Sequence, residues 1–273
     1  MSSGQRALLA RALRRRAPLR EDGRTTAFRW LNADGDGAPG WTLDVFGDVA
    51  VLSAYDQEDP DPVAAAAMEL LPLRAVYLKA RPRTAGRLGP EERSARAPGL
   101  PLRGERVPLV DVREQGLHFR IRPGEGLAVG LYLDMREARG WVRAHSRSAS
   151  VLNCFAYTGG FSVAARAGGA ARAVDVDLSR RALDWGEENA RLNGQAPPAT
   201  DRLAGDVFDW LRRLGRRRRL RRRLNHGRAR WRVGHENLRH GSRWYREDHH
   251  RSRPGRRRGT RHGRAGGHRN RRW

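Results

Sequence analysis

The chain has 273 residues, room for one large or two modest domains, and carries a net charge of +25. The charge is uneven: residues 215–273 hold 23 Arg against Glu236, Glu247 and Asp248, so the first 214 residues are only mildly basic. A single cysteine, Cys154, excludes an intramolecular disulfide and fits a reducing cytoplasm, no run approaches the 18 apolar residues of a membrane span, and the N-terminus lacks the apolar stretch of a signal peptide.

Residues 1–24 are basic, with Leu8, Leu9 and Leu13 at helical spacing. They read as a short amphipathic helix ending before Pro18, or equally as a loosely held solvated arm. Residues 25–125 read as a small α+β domain. Ala27–Leu31 is strand-like, Asp34-Gly35-Asp36-Gly37 and Pro39-Gly40 are turn chemistry, and Trp41–Phe46 with Val49–Tyr55 form a hairpin around Gly47-Asp48. Pro62–Leu71 is a helix and Ala75–Lys79 a strand. The segment Gly86–Gly104, rich in Pro, Gly and charge, reads as an exposed loop. Val107–Val112 and Leu117–Ile121 flank Glu114-Gln115-Gly116 as a further hairpin. Gly130-Leu131-Tyr132-Leu133-Asp134-Met135-Arg136 opens a helix to about Ala144, with Asp134 able to cap it.

The most informative stretch is Val151 to Asn193. An apolar run, Val151 to Phe155, meets the turn Ala156-Tyr157-Thr158-Gly159-Gly160. A helical pattern closed by Gly168-Gly169 follows, then a second strand-like run, Ala173 to Asp177, that ends on an acid. Ser179 stands where an N-cap belongs, ahead of a helix with Leu183, Trp185 and Leu192. Strand, Gly turn, helix, strand, acid is half of a doubly wound nucleotide-binding sheet, and Asp177 lies close to the roughly 20 residues past the glycines at which an acid meets a ribose diol. The turn is not G-x-G-x-x-G. Bulky Tyr157 and Phe161 surround its glycines, which suits a ligand without a pyrophosphate, such as S-adenosylmethionine. An ordinary βαβ unit with no ligand is the plainer alternative. Leu203 to Phe208 ends a short third strand, and Asp206 can cap the helix after it.

N-C-F-x-Y-T-G-G-F from Asn153, and V-D-x-S-x-x-A-L with a later N-x-x-L-N, resemble the class I S-adenosylmethionine-dependent RNA methyltransferases of the bacterial large-subunit rRNA 5-methylcytosine type. The resemblance runs from about Thr25 to about Leu214. It implies an α/β fold: a Rossmann-like sheet at 126–214 behind a small α+β domain at 25–125. It also implies S-adenosyl-L-methionine as cofactor, RNA as partner, no metal, and a cytoplasmic enzyme. By the same resemblance Tyr132, Leu133 and Asp134 are cofactor-side residues. Phe155, Tyr157, Thr158, Gly159 and Gly160 form the cofactor turn, Asp177 and Leu178 hold the ribose side, and Asp206 and Val207 stand against the adenine. Gly35 to Asp44 resembles the small domain that helps such enzymes hold RNA. Their N-terminal PUA module is not visible in the 24 or so residues before Thr25.

The resemblance breaks after Leu214. The family continues with a strand ending in D-P-P and, later, a nucleophilic Cys that attacks cytosine C6. Here an Arg/Gly/His-rich tail follows, and Cys154, inside the first strand, reads as a core residue, so no catalytic residue is assigned. Two readings of residues 215–273 compete. One is an arm binding RNA phosphates and stacking bases on Trp231, Trp244 and Trp273. The other is a shifted reading frame. One Lys and one Ile amid abundant Arg, Ala and Gly indicate a GC-rich gene. Leu220-Arg221-Arg222-Arg223 can be encoded by letters that, moved one base, give Phe-Asp-Val-Val, the start of the family's next strand. On that reading the chain as written methylates nothing, and the far edge of the first sheet strand is unpaired and apolar. A non-catalytic RNA-binding protein is the alternative function. A nicotinamide oxidoreductase is disfavoured by the missing pyrophosphate pattern.

Overall fold

The computed structural model describes residues 3–21, 23–55, 59–82 and 89–224, so most of the Arg-rich tail, including Trp231, Trp244 and Trp273, lies outside the described residues. The N-terminal segment is not a solvated arm. It forms α1 (Ser3–Arg15) and α2 (Ala17–Glu21). Leu9 and Ala12, one turn apart, are each 1% exposed. Trp30 Nε1 donates to the Leu9 carbonyl at 2.8 Å, and Arg16 grips the Asp36 carboxylate with bonds of 2.7 and 2.6 Å. α1 ends at Arg15, before Pro18 as read, and Pro18 belongs to the next helix. It lies in the first turn of α2, where a missing N–H costs no helical bond.

β1 (Ala27–Asn32), β2 (Trp41–Phe46), β3 (Val49–Tyr55), β4 (Ala75–Arg81) and β5 (Arg103–Gly104) form one mixed sheet in that order. β2 and β3 are the hairpin read around Gly47-Asp48. α3 (Asp61–Leu70) carries the chain to β4, which runs parallel to β3. The stretch expected to be a loop holds α4 (Pro90–Arg96) and β5 instead. β5 depends on Gly104, whose φ is 87° and where a Cβ would overlap the Arg74 carbonyl oxygen. β6 (Val110–Glu114) and β7 (Leu117–Ile121) close on Gln115 and Gly116, both with positive φ, 51° and 79°, as a two-residue hairpin turn demands. Lys79 on β4 is fully buried, and its Nζ has no hydrogen-bond partner among the described residues. Burial, with the Arg81 charge beside it, lowers its pKa to about 8.

Then follow α5 (Arg136–His145), β8 (Ser150–Cys154), α6 (Gly160–Ala167), β9 (Arg172–Asp177), α7 (Arg180–Leu192), β10 (Arg202–Ala204) and α8 (Val207–Leu224). The strands are parallel in the order β10-β9-β8, the Rossmann-like arrangement expected. The third strand is shorter than read. Asp206 accepts from the Asp209 amide at 3.0 Å, so Val207 and Phe208 already belong to α8, which continues past Leu214. As the strand count implied, β8 lies outermost, and among the described residues nothing pairs with its second edge. Leu152 and Phe155 are 39% and 67% exposed there, and Cys154 is half-buried rather than sealed in the core.

One apolar cluster joins both parts. Phe46, Val51 and Tyr77 of the first sheet, Phe119 and Ile121 of the hairpin, Leu131 and Leu133 of the loop, and Val163 and Ala190 of the later helices pack together. No described helix is long and apolar enough to cross a membrane.

Candidate cofactor site

The turn between β8 and α6 is built from left-handed residues. Phe155, Tyr157 and Gly159 have φ of 56°, 49° and 71°. The two non-glycine positions store strain on the order of 1 kcal/mol or more each, which the surrounding bonds must hold. The Tyr157 amide donates to Asp177 Oδ2 at 2.8 Å, and the Ser179 amide donates to Asp177 Oδ1 at 2.8 Å. Thr158, nearly buried, donates from its hydroxyl to the Gly130 carbonyl at 2.5 Å. Asn189 of α7 donates to the Thr158 carbonyl at 2.9 Å and accepts from the Arg120 amide at 2.8 Å. Gly159 is needed for its φ, and because a Cβ there would stand 3.3 Å from the Gly186 Cα of α7. A Cβ at Gly160 would meet Arg139 Cδ at 3.4 Å and the buried rings and methyls of Phe119 and Leu131. Backbone conformation and close packing require glycine at 159, before any ligand, whereas a Cβ at 160 would meet its neighbours at ordinary contact distance.

Beneath the turn lies a buried polar group. Asp175 Oδ1 accepts from Asn153 Nδ2 at 2.8 Å and from the Ser162 hydroxyl at 2.6 Å. Burial raises the Asp175 pKa, although those two bonds oppose it. Tyr157 packs between Tyr132, with centroids 5.3 Å apart, and Trp185, at 6.3 Å. Burial raises its phenol pKa, and its hydroxyl lacks a hydrogen bond of ordinary geometry.

The carboxyl ends of the three strands thus collect Phe155, Asp177 with Leu178, and Asp206 with Val207. Leu178 is 77% exposed, and Asp206 caps α8 as read. Val207 is buried, so its side chain packs inward. Tyr132 is half-exposed beside Tyr157. Asp134 is different. It makes no cap bond, since the 3-10 turn Leu133–Met135 and α5 both begin without a side-chain cap. Asp134 instead lines a cleft with Arg16, Arg29, Asn32 and Arg136.

Sequence reading missed Phe208, exposed and edge-on to Phe155 at 6.1 Å, and Asn189. The pair Asn189 and Asn193, one turn apart on α7 and both bonded to β7, was the available signal. A cleft of about 540 Å³ at Arg166, Arg172 and Asp201 lies at the amino ends of the strands. Open parallel sheets bind ligands at the carboxyl ends, so that cleft is not the site.

Residues 93–221 match the model of the S-adenosylmethionine-dependent methyltransferases, from α4 through the whole turn and into α8. Over this stretch the chain is similar to the S-adenosylmethionine-dependent methyltransferase family. Ribosomal RNA large subunit methyltransferase I of Alteromonas mediterranea is 36% identical over 206 residues, which cover 74% of this chain and 50% of the relative. A putative ribosomal RNA large subunit methyltransferase of Bacillus subtilis is 34% identical over 208 residues, 74% of this chain and 51% of its own length. A crystal structure of a putative methyltransferase complexed with SAH superposes with a TM-score of 0.65 at 26% identity, over 79% of this chain and 55% of that one. The chain spans about half the length of the curated relatives it matches. The methyltransferase fold and S-adenosylmethionine as its cofactor follow from these matches.

Proposed function

We propose that this chain holds S-adenosylmethionine at the carboxyl ends of β8, β9 and β10 as the cofactor-binding part of a methyltransferase for RNA, of the kind that targets a cytosine C5 of large-subunit rRNA, and that as written it transfers no methyl group. The observation that carries the reading is Asp177. Two backbone amides fix its carboxylate at the tip of β9, and lone pairs remain to accept from a ribose diol. Exposed Phe155, Leu178 and Phe208 supply flat or apolar surface for a purine, and Asp206 keeps one oxygen for the exocyclic amine beside the Val207 backbone. Tyr132, Tyr157, Thr158, Gly159 and Gly160 border the methionine end. Asp134, a cofactor-side residue by resemblance, lines the Arg-bordered cleft next to the Tyr132 loop.

The cofactor supplies the methyl group, and the residues named here bind and orient it. Cys154 lies in β8, and we assign it no part in the attack on a base. Titration calorimetry with S-adenosylhomocysteine and with NAD tests the cofactor reading: saturable binding of the first alone is expected, and binding of NAD in its place sinks it. Labelled S-adenosylmethionine with undermethylated large-subunit rRNA tests the target. This chain is expected to leave cytosine unlabelled, and label in one cytosine would show that residues beyond Leu214 complete the enzyme.

A further inference from the structure

Arg139 and Glu114 form an ion pair that is almost sealed from water, at 4% and 3% exposure. Arg139 Nε donates to Glu114 Oε1 at 2.7 Å and Nη2 to Oε2 at 2.8 Å. The same Nη2 also donates to the Tyr132 carbonyl at 2.8 Å. Arg139 Cδ lies 3.4 Å from where a Gly160 Cβ would stand, and its guanidinium is 6.0 Å from the Phe161 ring. One side chain of α5 therefore touches the end of the β6–β7 hairpin, the loop carrying Tyr132, and the first residues of α6.

Stability is a poor reason for such a pair. Withdrawing both charges from water costs about as much as their attraction returns, and apolar replacements of similar volume are commonly neutral or stabilising. The bond to Tyr132 is the one that a hydrophobic pair could not supply. Buried Leu131 packs the loop from Gly130 to Tyr132 into the core, and two carbonyls tie its ends: Gly130, held by the Thr158 hydroxyl, and Tyr132, held by Arg139 and, at 3.3 Å, by the Met135 amide. The Tyr132 ring is half-exposed, so its place beside Tyr157 follows from where its backbone is held.

We propose that Arg139 is a positioning residue for the cofactor site, oriented by Glu114 and acting through the Tyr132 carbonyl to set the Tyr132 ring against the glycine turn. The proposal rests on the cofactor reading above for its effect on binding, and on geometry alone for its effect on the loop. Glu114 is the aiming device: a bidentate grip fixes the plane of the guanidinium, so its outer nitrogen points at one carbonyl.

The test uses the full chain in three forms: wild type, the paired variant Arg139→Met with Glu114→Leu, and Arg139→Lys. The paired variant fills the same space without charge. Lys keeps the charge toward Glu114 but lacks the planar fork that grips Glu114 with two nitrogens while aiming one of them at Tyr132. Hydrogen exchange without ligand should quicken at residues 130–135 in both variants, with β8 and β9 protected as in wild type. S-adenosylhomocysteine affinity should fall about tenfold or more in both, while the melting temperature of the paired variant stays near wild type or rises. Unchanged exchange at 130–135, or wild-type affinity in a folded paired variant, overturns the positioning role. Wild type that binds no S-adenosylhomocysteine sinks the cofactor reading instead, and the exchange data still decide the loop. Should the paired variant fail to fold, Arg139→Lys carries the same two readouts.

Discussion

At the scale of single residues the site turns on how Asp177 is held. Asp177→Ala removes a charged acceptor for the ribose diol, worth about 1.5–3 kcal/mol, so cofactor affinity should drop roughly tenfold to a hundredfold in calorimetry. It also frees the Tyr157 and Ser179 amides, so some loss of melting temperature should accompany it; an unchanged dissociation constant would reduce Asp177 to a strand-end residue. Lys79 makes the opposite case, a residue whose charge opposes folding. Its folded pKa, about 8, lies below the ordinary 10.5, so the unfolded chain binds the proton more tightly. The penalty is full below pH 8, shrinks as pH rises toward 10.5, and reaches roughly 3 kcal/mol at most. Lys79→Met should therefore be the more stable protein in urea unfolding at pH 7, with the difference narrowing by pH 10. Equal stability at both pH values would mean that water or a partner satisfies the ammonium. Asp177 was legible because strand, glycines, helix, strand and acid follow one another within a short stretch. Arg139 was not, because its partner Glu114 lies 25 residues away along the chain, and Asn189 stood in the N-x-x-L-N run without its role being visible, because its partners lie 31 and 69 residues away.

Elements show the same division between local and distant causes. The two hairpins and the capped helix α7 were readable, since turn residues and the Ser179 cap act on their immediate neighbours; Ser179 Oγ accepts from the Ala182 amide at 3.2 Å. β5 was not, because two residues make no periodic pattern and only the Arg74–Gly104 approach creates the strand. Gly104→Ala should cost more than the roughly 1 kcal/mol of an ordinary left-handed alanine, since the Arg74 carbonyl must also move. A melting temperature within a degree of wild type would show that the strand end yields freely. The Asp134 cap failed for a related reason. A short 3-10 turn precedes α5, so Met135 and not Asp134 occupies the cap position.

For the molecule as a whole, the shared core means that the loop bearing Tyr132 is packed between the first sheet and the later helices through Leu131 and Leu133. The outer strand has a consequence for handling the protein. Ser150 to Cys154 contains no charge and no proline, two of the devices by which natural edges refuse a neighbour. Association through such an edge is at least second order, so loss of soluble protein should steepen with concentration and stay slight in dilute solution. Leu152→Lys places a charge on that strand, outside the cofactor turn. It should raise the concentration at which light scattering begins while leaving S-adenosylhomocysteine affinity unchanged. If the variant precipitates at the wild-type threshold, the ceiling on solubility is set elsewhere in the chain, and preparative work would gain nothing from guarding β8.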